Sequence, residues 1–429
     1  MSQRVHGFRA VLLLAIFVSG LTPARGDGFT AGFYSRGLDS AASMDQGGPL
    51  LDPFYLPVRQ TAVLPRLTLL ATREDNVFLD NEGESAGTFI DLIPGVMAIY
   101  GRPEHNHLHL DTGAIIPLKA SDEDIEKKNS YFATLGGVLR NPKSQLALRA
   151  GYRRMEQVDT LVGARIVKEE LVGNAAWDVR TSGKTRVGVL GTVEDHQFDE
   201  ESYTDYRRIY GAGRLYYQLT PKSEGFAQVG AGRDDLRDAD VGDADFLDAS
   251  VGVRGRQSPK LAVGGRVGYQ WRDVEAQPSQ TLERWIASLN ADWNPKGLSQ
   301  FSAELVSDVR PAIQRAGVST VNQRLTLGVN RRLFVERVRG NGSIYFGRVE
   351  YKGEDARFEG ARAGSVFDGR EDEYWGYSLG LEWWVRRNLS IAGGYAYSEN
   401  RGSRNADETL RQATSFESGV WSLRVSWNY

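Results

Sequence analysis

The chain has 429 residues, a net charge of -3, 48 glycines, 18 tyrosines, 9 tryptophans and no cysteine. A pI near 6.1 leaves no basic field for nucleic acid, and a mean hydropathy of -0.40 excludes a bundle of apolar membrane helices. Without cysteine there can be no disulfide, thiolate metal site, cysteine nucleophile or lipoprotein anchor.

Residues 1–26 read as a cleaved secretory signal. Arg4 and Arg9 precede the apolar run "AVLLLAIFVSG", and Ala24 to Gly26 offers the small residues a signal peptidase reads. The plainer alternative is an amphipathic N-terminal helix, but no polar face interrupts the run. Residues 27–60 follow as a periplasmic N-terminal extension, too short to plug a barrel of about 22 strands. The rest, 61–429, is expected to be one domain.

Segments 62–73 and 88–100 form a first hairpin, and short turn marks then recur. "NPKS" at Asn141, "TPKS" at Thr220, "SPKL" at Ser258 and "NPKG" at Asn294 share a polar residue, Pro and Lys. "GRPE" at Gly101, "TSGKT" at Thr181, "NRRL" at Asn330 and "RRNL" at Arg386 occupy equivalent places. Proline presets a turn and cannot donate to a ladder, so each mark closes one strand and opens another. Marks recur about every 38 residues, a period also open to solenoids and propellers. The text between them decides otherwise: each unit is a strand, a long polar loop, a strand and a tight turn. Leu261 to Trp271 and Arg284 to Trp293 alternate apolar with small or polar residues. Strands of about 10–14 residues are long for a soluble sheet and suit a tilted membrane crossing. The last unit ends in "WSLRVSWNY", which resembles the aromatic C-terminal signal read by outer-membrane assembly machinery.

Nine hairpins make 18 strands, and an even count lets a closed antiparallel barrel remove its edges. The fold class is therefore all-β: a single transmembrane barrel with short periplasmic turns and long extracellular loops. Aromatics fall at both ends of the apolar face. Trp285 and Trp293, Trp375 and Trp383, and Trp421 and Tyr429 each lie eight residues apart, with Trp271 and Trp427 alongside. Eight steps span roughly 20 Å of depth after tilt, close to the height of an outer-membrane apolar band. Strand parity places Arg149, Arg153, Arg186, Arg208, Arg214, Arg254, Arg266, Arg272, Arg324 and Arg348 on the polar, lumenal face with Tyr206 and Tyr210. There, guanidinium groups could bind carboxylate or hydroxyl oxygens and tyrosine rings could stack on sugars, or the arginines pair with lumenal acids and stiffen the wall. The loops are acidic, as in "EDHQFDEES" (Glu194 to Ser202) and "RDDLRDADVGDAD" (Arg233 to Asp245). Such charge serves solubility or, bridged by cations, contact with surface polysaccharide.

"GPLLDPFYLPVRQTAVLPRLTLLATREDNVF" (Gly48 to Phe78) and "FIDLIPGV" (Phe89 to Val96) resemble the opening of the family called putative beta-barrel porin 2. The likeness is best over 48–118 and fades to hairpin pattern afterwards. It departs where Glu74-Asp75-Asn76 stands in place of Asp-Asp-Asn. Such a resemblance implies an outer-membrane pore of a Gram-negative bacterium, associated with export of exopolysaccharide or capsule. It also implies a periplasmic export lipoprotein as partner and no catalytic residues or cofactor.

Candidates for other chemistry are few. His105, His107 and His109 share one face of the third strand and could hold a metal, though as solvated lumenal side chains they need not. His196, among Glu194, Asp195, Asp199 and Glu200, invites comparison with outer-membrane proteases that use His-Asp pairs, on the slender ground of one histidine in an acidic loop. "GAGR" at Gly211 and Gly230 lacks the Gly-Lys-Ser/Thr and the following helix of a phosphate loop and fits strands instead. The functions left are polysaccharide export, passive diffusion of small hydrophilic solutes, or a structural or adhesive barrel that conducts nothing.

Overall fold

The computed structural model describes residues 61–77, 85–101, 106–120, 127–159, 164–200, 202–237, 242–275, 280–295, 298–313, 318–333, 337–352, 370–402 and 415–428. The proposed leader and extension, His105 and Tyr429 lie outside them. Eighteen strands form one sheet. They are β1 Thr61–Glu74, β2 Gly87–Gly101, β3 His107–Ala120, β4 Ser130–Arg140, β5 Ser144–Asp159, β6 Ala164–Arg180, β7 Thr185–Phe198, β8 Tyr206–Thr220 and β9 Ser223–Leu236. The second half continues with β10 Ala244–Ser258, β11 Leu261–Val274, β12 Gln280–Trp293, β13 Ser299–Pro311, β14 Ser319–Arg332, β15 Val338–Lys352, β16 Glu371–Arg386, β17 Leu389–Arg401 and β18 Phe416–Asn428.

Each strand pairs antiparallel with its sequence neighbour, and β1 pairs with β18, from Arg66 opposite Asn428 to Glu74 opposite Val420. The sheet is closed. Thr68 donates to the Ser426 hydroxyl across this seam at 3.0 Å. Beyond the end of β1, Asp75 accepts from the Gly419 N–H at 2.5 Å and Asn76 donates to the Glu417 carbonyl at 2.9 Å. The Asp-Asn pair that carries part of the family resemblance is thus a clamp on the closing strand, which would otherwise leave an open edge.

The turn marks behave as their chemistry predicts. Ser182, Thr220 and Ser258 each accept the backbone N–H of the lysine two residues on, at 3.2 Å. Asn141 does the same for Lys143 at 2.9 Å. Each polar side chain substitutes for a backbone acceptor and fixes the two-residue reversal. At the end of β2 the backbone turns at Gly101 with φ of 92°, where a Cβ would strike the Asn106 carbonyl.

The two faces differ as the alternation requires. Along β10, outward Leu247 and Val251 are 47% and 59% exposed, while inward Asp248 and Ser250 are 2% and 5%. A soluble monomer does not present such a belt of Leu, Val and Trp to water; a lipid-facing wall does. The strands run from 11 to 17 residues, longer than the alternation alone indicated. The extra length lies at the end opposite the short turns, the extracellular end. There Glu194 to Phe198 belong to β7 and Arg233 to Leu236 to β9, so these residues are wall rather than loop.

Candidate pore and its lining

Near the extracellular end, β8, β9 and β11 bring two arginines onto one carboxylate. Asp234 accepts from Arg208 Nε at 2.6 Å, Arg208 Nη2 at 2.8 Å and Arg272 Nη1 at 2.6 Å. The Asp234 and Arg272 side chains are 0% and 1% exposed, so this is a dry cluster. Two guanidinium groups on one acid need further acceptors, and β13 and β14 supply them. The Val309 carbonyl accepts from Arg208 at 3.1 Å and the Ser319 hydroxyl from Arg272 at 3.0 Å.

This contact is possible because the ladder between β12 and β13 ends at Ala287 opposite Ser307, although both strands continue. The upper part of the β13–β14 hairpin parts from β12 and leans into the lumen while still paired with β15. Arg310 bonds Glu194 of β7 at 2.9 Å and Asp308 at 3.0 Å. The Ile313 carbonyl accepts from Thr204 N–H at 2.8 Å. Ala312 and Val318 pack from the other side on inward Tyr345, Val349, Tyr351 and Tyr374. The hairpin end therefore touches β7 and β8 on one wall and β15 and β16 on the other. It crosses the pore.

The periplasmic end is different. A cavity of about 870 Å³ lies among β4 to β13 and the turns at Ser182, Pro221 and Pro259, lined among the described residues by nine cationic side chains and two acids, Glu224 and Asp292. Arg186 and Arg254 both bond Glu224 Oε1, at 2.7 and 2.5 Å, and Arg186 also reaches Asp178 at 3.2 Å. Their guanidinium carbons lie 4.0 and 4.8 Å from the ring centre of Tyr216, which is held between them. Arg214 donates to Gln228 at 2.6 Å.

A closed 18-stranded barrel with an apolar outer belt and an ionic lumen is joined by a sequence finding: the model of the family putative beta-barrel porin 2 matches residues 142–417. The chain belongs to that family. The match begins at Pro142, after the stretch 48–118 on which the resemblance was strongest, so membership rests on the hairpins from β5 onward. No curated protein matches the chain. Among solved structures, OccAB4 of Acinetobacter baumannii superimposes with a TM-score of 0.45 at 10% identity, over 87% of this chain and 99% of that one. OccK9 (OpdG) of Pseudomonas aeruginosa gives 0.44 at 12%, over 86% and 98%. OpdL of the same organism gives 0.43 at 9%, also over 86% and 98%.

The porin lies in the outer membrane of a Gram-negative bacterium, and its family and fold are those of a channel. Of the arginines assigned to its lumen, Arg149, Arg153, Arg186, Arg208, Arg214, Arg254, Arg266, Arg272 and Arg324 lie on the inward face by strand register. Arg153 is spent on Glu170, and Arg324 lies 4.8 Å over Tyr345. Arg266 has no hydrogen-bonded carboxylate among the described residues.

Arg348 is a correction. Its neighbours Gly347 and Val349 face inward, and it lies on the outer wall, bonded to Glu350 at 3.0 Å and Glu371 at 2.5 Å. Strand β15 runs past the apolar band, and beyond it polar side chains return to the outer face. The tyrosines are also committed: Tyr206 stacks on His196 with ring centres 4.4 Å apart, and the Tyr210 hydroxyl accepts from Gln228 at 2.7 Å. Gly230 and Gly232 on β9, in the second "GAGR", leave the space that Tyr210 and Phe246 fill.

His196 is 3% exposed on β7, its Nε2 3.5 Å from Glu194, rather than in a loop. Because Glu194 is bonded to Arg310 and the imidazole lies under Tyr206, the pair is part of the packed lumen. His107 and His109 stack at 5.9 Å and are buried, not solvated, and no group of three potential metal ligands forms among the described residues. Outward Trp285, Trp293, Trp383 and Trp421 are 67%, 48%, 51% and 62% exposed, with Trp271 and Trp427 at 38% and 39%. Trp375 shares that face but donates to Glu399 at 2.8 Å. Trp177, 50% exposed near a short turn, is a belt aromatic the pairwise spacing missed, since β6 has no second tryptophan eight residues away.

Proposed function

We propose that this porin exports an exopolysaccharide or capsular polysaccharide from the periplasm. The supporting observation is the asymmetry of the lumen: a roomy, cation-lined cavity opens at the periplasmic end, and a hairpin crosses the extracellular end. A pore that receives its cargo from inside needs the wide, attractive mouth on that side. The aromatic belt would sit at the lipid and lipopolysaccharide interfaces, and the strand from Phe416 would end in the signal read by the barrel assembly machinery. A periplasmic export lipoprotein would deliver the polymer. Deleting the gene should strip polymer from the cell surface and retain it in the periplasm; unchanged surface polymer would reject export.

The packed extracellular half favours a second reading, passive diffusion of small hydrophilic solutes. That reading expects steady conductance in planar bilayers and solute-dependent liposome swelling, with no effect of the deletion on surface polymer. An adhesive or structural barrel expects no conductance at all.

A further inference from the structure

The recurring short turns that carry lysine have a use beyond reversing the chain. Lys184, Lys222 and Lys260 sit in three successive short turns and all line the periplasmic cavity. One turn recurs every second strand, so these ammonium groups stand on a rim roughly 10 Å apart along the sheet. Arg254 and Arg256 form the wall above them, and Glu224 is already shared between two arginines. Between the cations the wall offers side-chain amides, Gln145 between Arg140 and Arg180 and Gln218 between Lys184 and Lys222, with Gln300 beyond the last cation. Cations at intervals with amides between them match a chain that carries carboxylates at intervals with hydroxyls between them.

We propose that the periplasmic vestibule is a binding site for a uronate-bearing oligosaccharide or polysaccharide, held by the turn lysines and wall arginines through its carboxylates and by the amides through its hydroxyls. The proposal deepens the export reading by naming the cargo class. It places the chain's first contact at the periplasmic rim, before the narrow part of the pore. Because the rim is wet, the contact is salt-sensitive and reversible, as a translocating chain requires.

The test is binding of trigalacturonate to the full-length porin in detergent micelles, with maltotriose as the neutral comparison. Trigalacturonate should bind, weaken steeply with salt, and exceed maltotriose. The Lys184→Glu/Lys222→Glu/Lys260→Glu variant changes only exposed turn residues and should weaken binding by roughly tenfold or more. Arg348→Glu, on the outer wall, should retain the wild-type affinity. Equal affinity for maltotriose, an unchanged affinity in the triple variant, or tighter binding of a sulfated trisaccharide would overturn the proposal. Binding without any conductance would leave this site standing and reject the pore; anion conductance without binding would do the reverse.

Discussion

At the extracellular end Asp234 lies at 0% exposure between Arg208 and Arg272; at the periplasmic end Glu224 keeps 28% between Arg186 and Arg254. Both are one carboxylate shared by two guanidinium groups. They differ in water. In the dry cluster the attraction is strong, but each group has surrendered its hydration, so every donor must be answered, and the hairpin from β13 and β14 answers the remainder. In the vestibule the same arrangement is screened, and its surplus of cations stays available to a ligand. The arginines of the lumen therefore divide into structural and receptive sets by depth, not by residue type.

The comparison breaks most visibly at its two acids. Asp234→Ala leaves two buried guanidinium groups without a carboxylate, which should cost about 3–5 kcal/mol. Glu224→Gln keeps an acceptor in a wet site and should cost less than about 1 kcal/mol. The midpoints of heat-modifiable unfolding in micelles report both. Equal losses would mean that the two ends are equally dry.

Next in size is the effect of releasing the hairpin. Arg310→Ala removes its tie to Glu194 while leaving the Asp234 cluster in place. Single-channel conductance should rise severalfold, with opening and closing events absent from the wild type. An unchanged conductance would show that the hairpin is held without Arg310, by its bonds to Arg208, Arg272 and Thr204 and its packing on Tyr345, Val349 and Tyr374.

How legible was this in the sequence? Eighteen strands, their pairing order and the outward aromatics follow from alternation and turn chemistry, because one face in lipid and one in water leaves little freedom of register. The partition of the arginines does not. Glu194 and Asp234 sit in acidic stretches that read as loop, since residues beyond the apolar band lose the alternation that marks a strand. Yet they are the carboxylates that neutralise Arg310, Arg208 and Arg272. Likewise, "FSAELVSDVRP" reads as an ordinary wall strand, and nothing local shows that its last residues part from β12. That departure is decided by acceptors needed more than a hundred positions earlier in the chain, at Arg208.

Ion selectivity should follow the wet end. Arg214→Glu with Arg266→Glu is expected to lower anion preference in reversal-potential measurements, because Arg214 is bonded to an amide and Arg266 has no hydrogen-bonded carboxylate among the described residues. Charge reversal at Arg208 should instead reduce the amount of folded porin, since its charge is consumed by Asp234. A cation-selective wild type would contradict the receptive role given to the periplasmic arginines.

The smallest effect is expected at Arg348, and it sharpens the assignment of faces. Its side chain is 43% exposed on the outer wall, and its partners Glu350 and Glu371 are 24% and 33% exposed. Ion pairs this accessible contribute about 0–1 kcal/mol, so Arg348→Ala should barely move the unfolding midpoint. Because the field of an outer-wall charge reaches the lumen only through the sheet and is screened by solvent within about 10 Å, selectivity should also stay as in the wild type. The paired measurement separates two placements that parity alone confuses. A lumenal arginine would change reversal potential even where stability held. A shift in Arg348→Ala comparable to that of the Arg214 and Arg266 variant would return the residue to the pore and require β15 to turn its other face to lipid. That face carries Tyr345, Val349 and Tyr351, whose packing against the β13–β14 hairpin would then be lost.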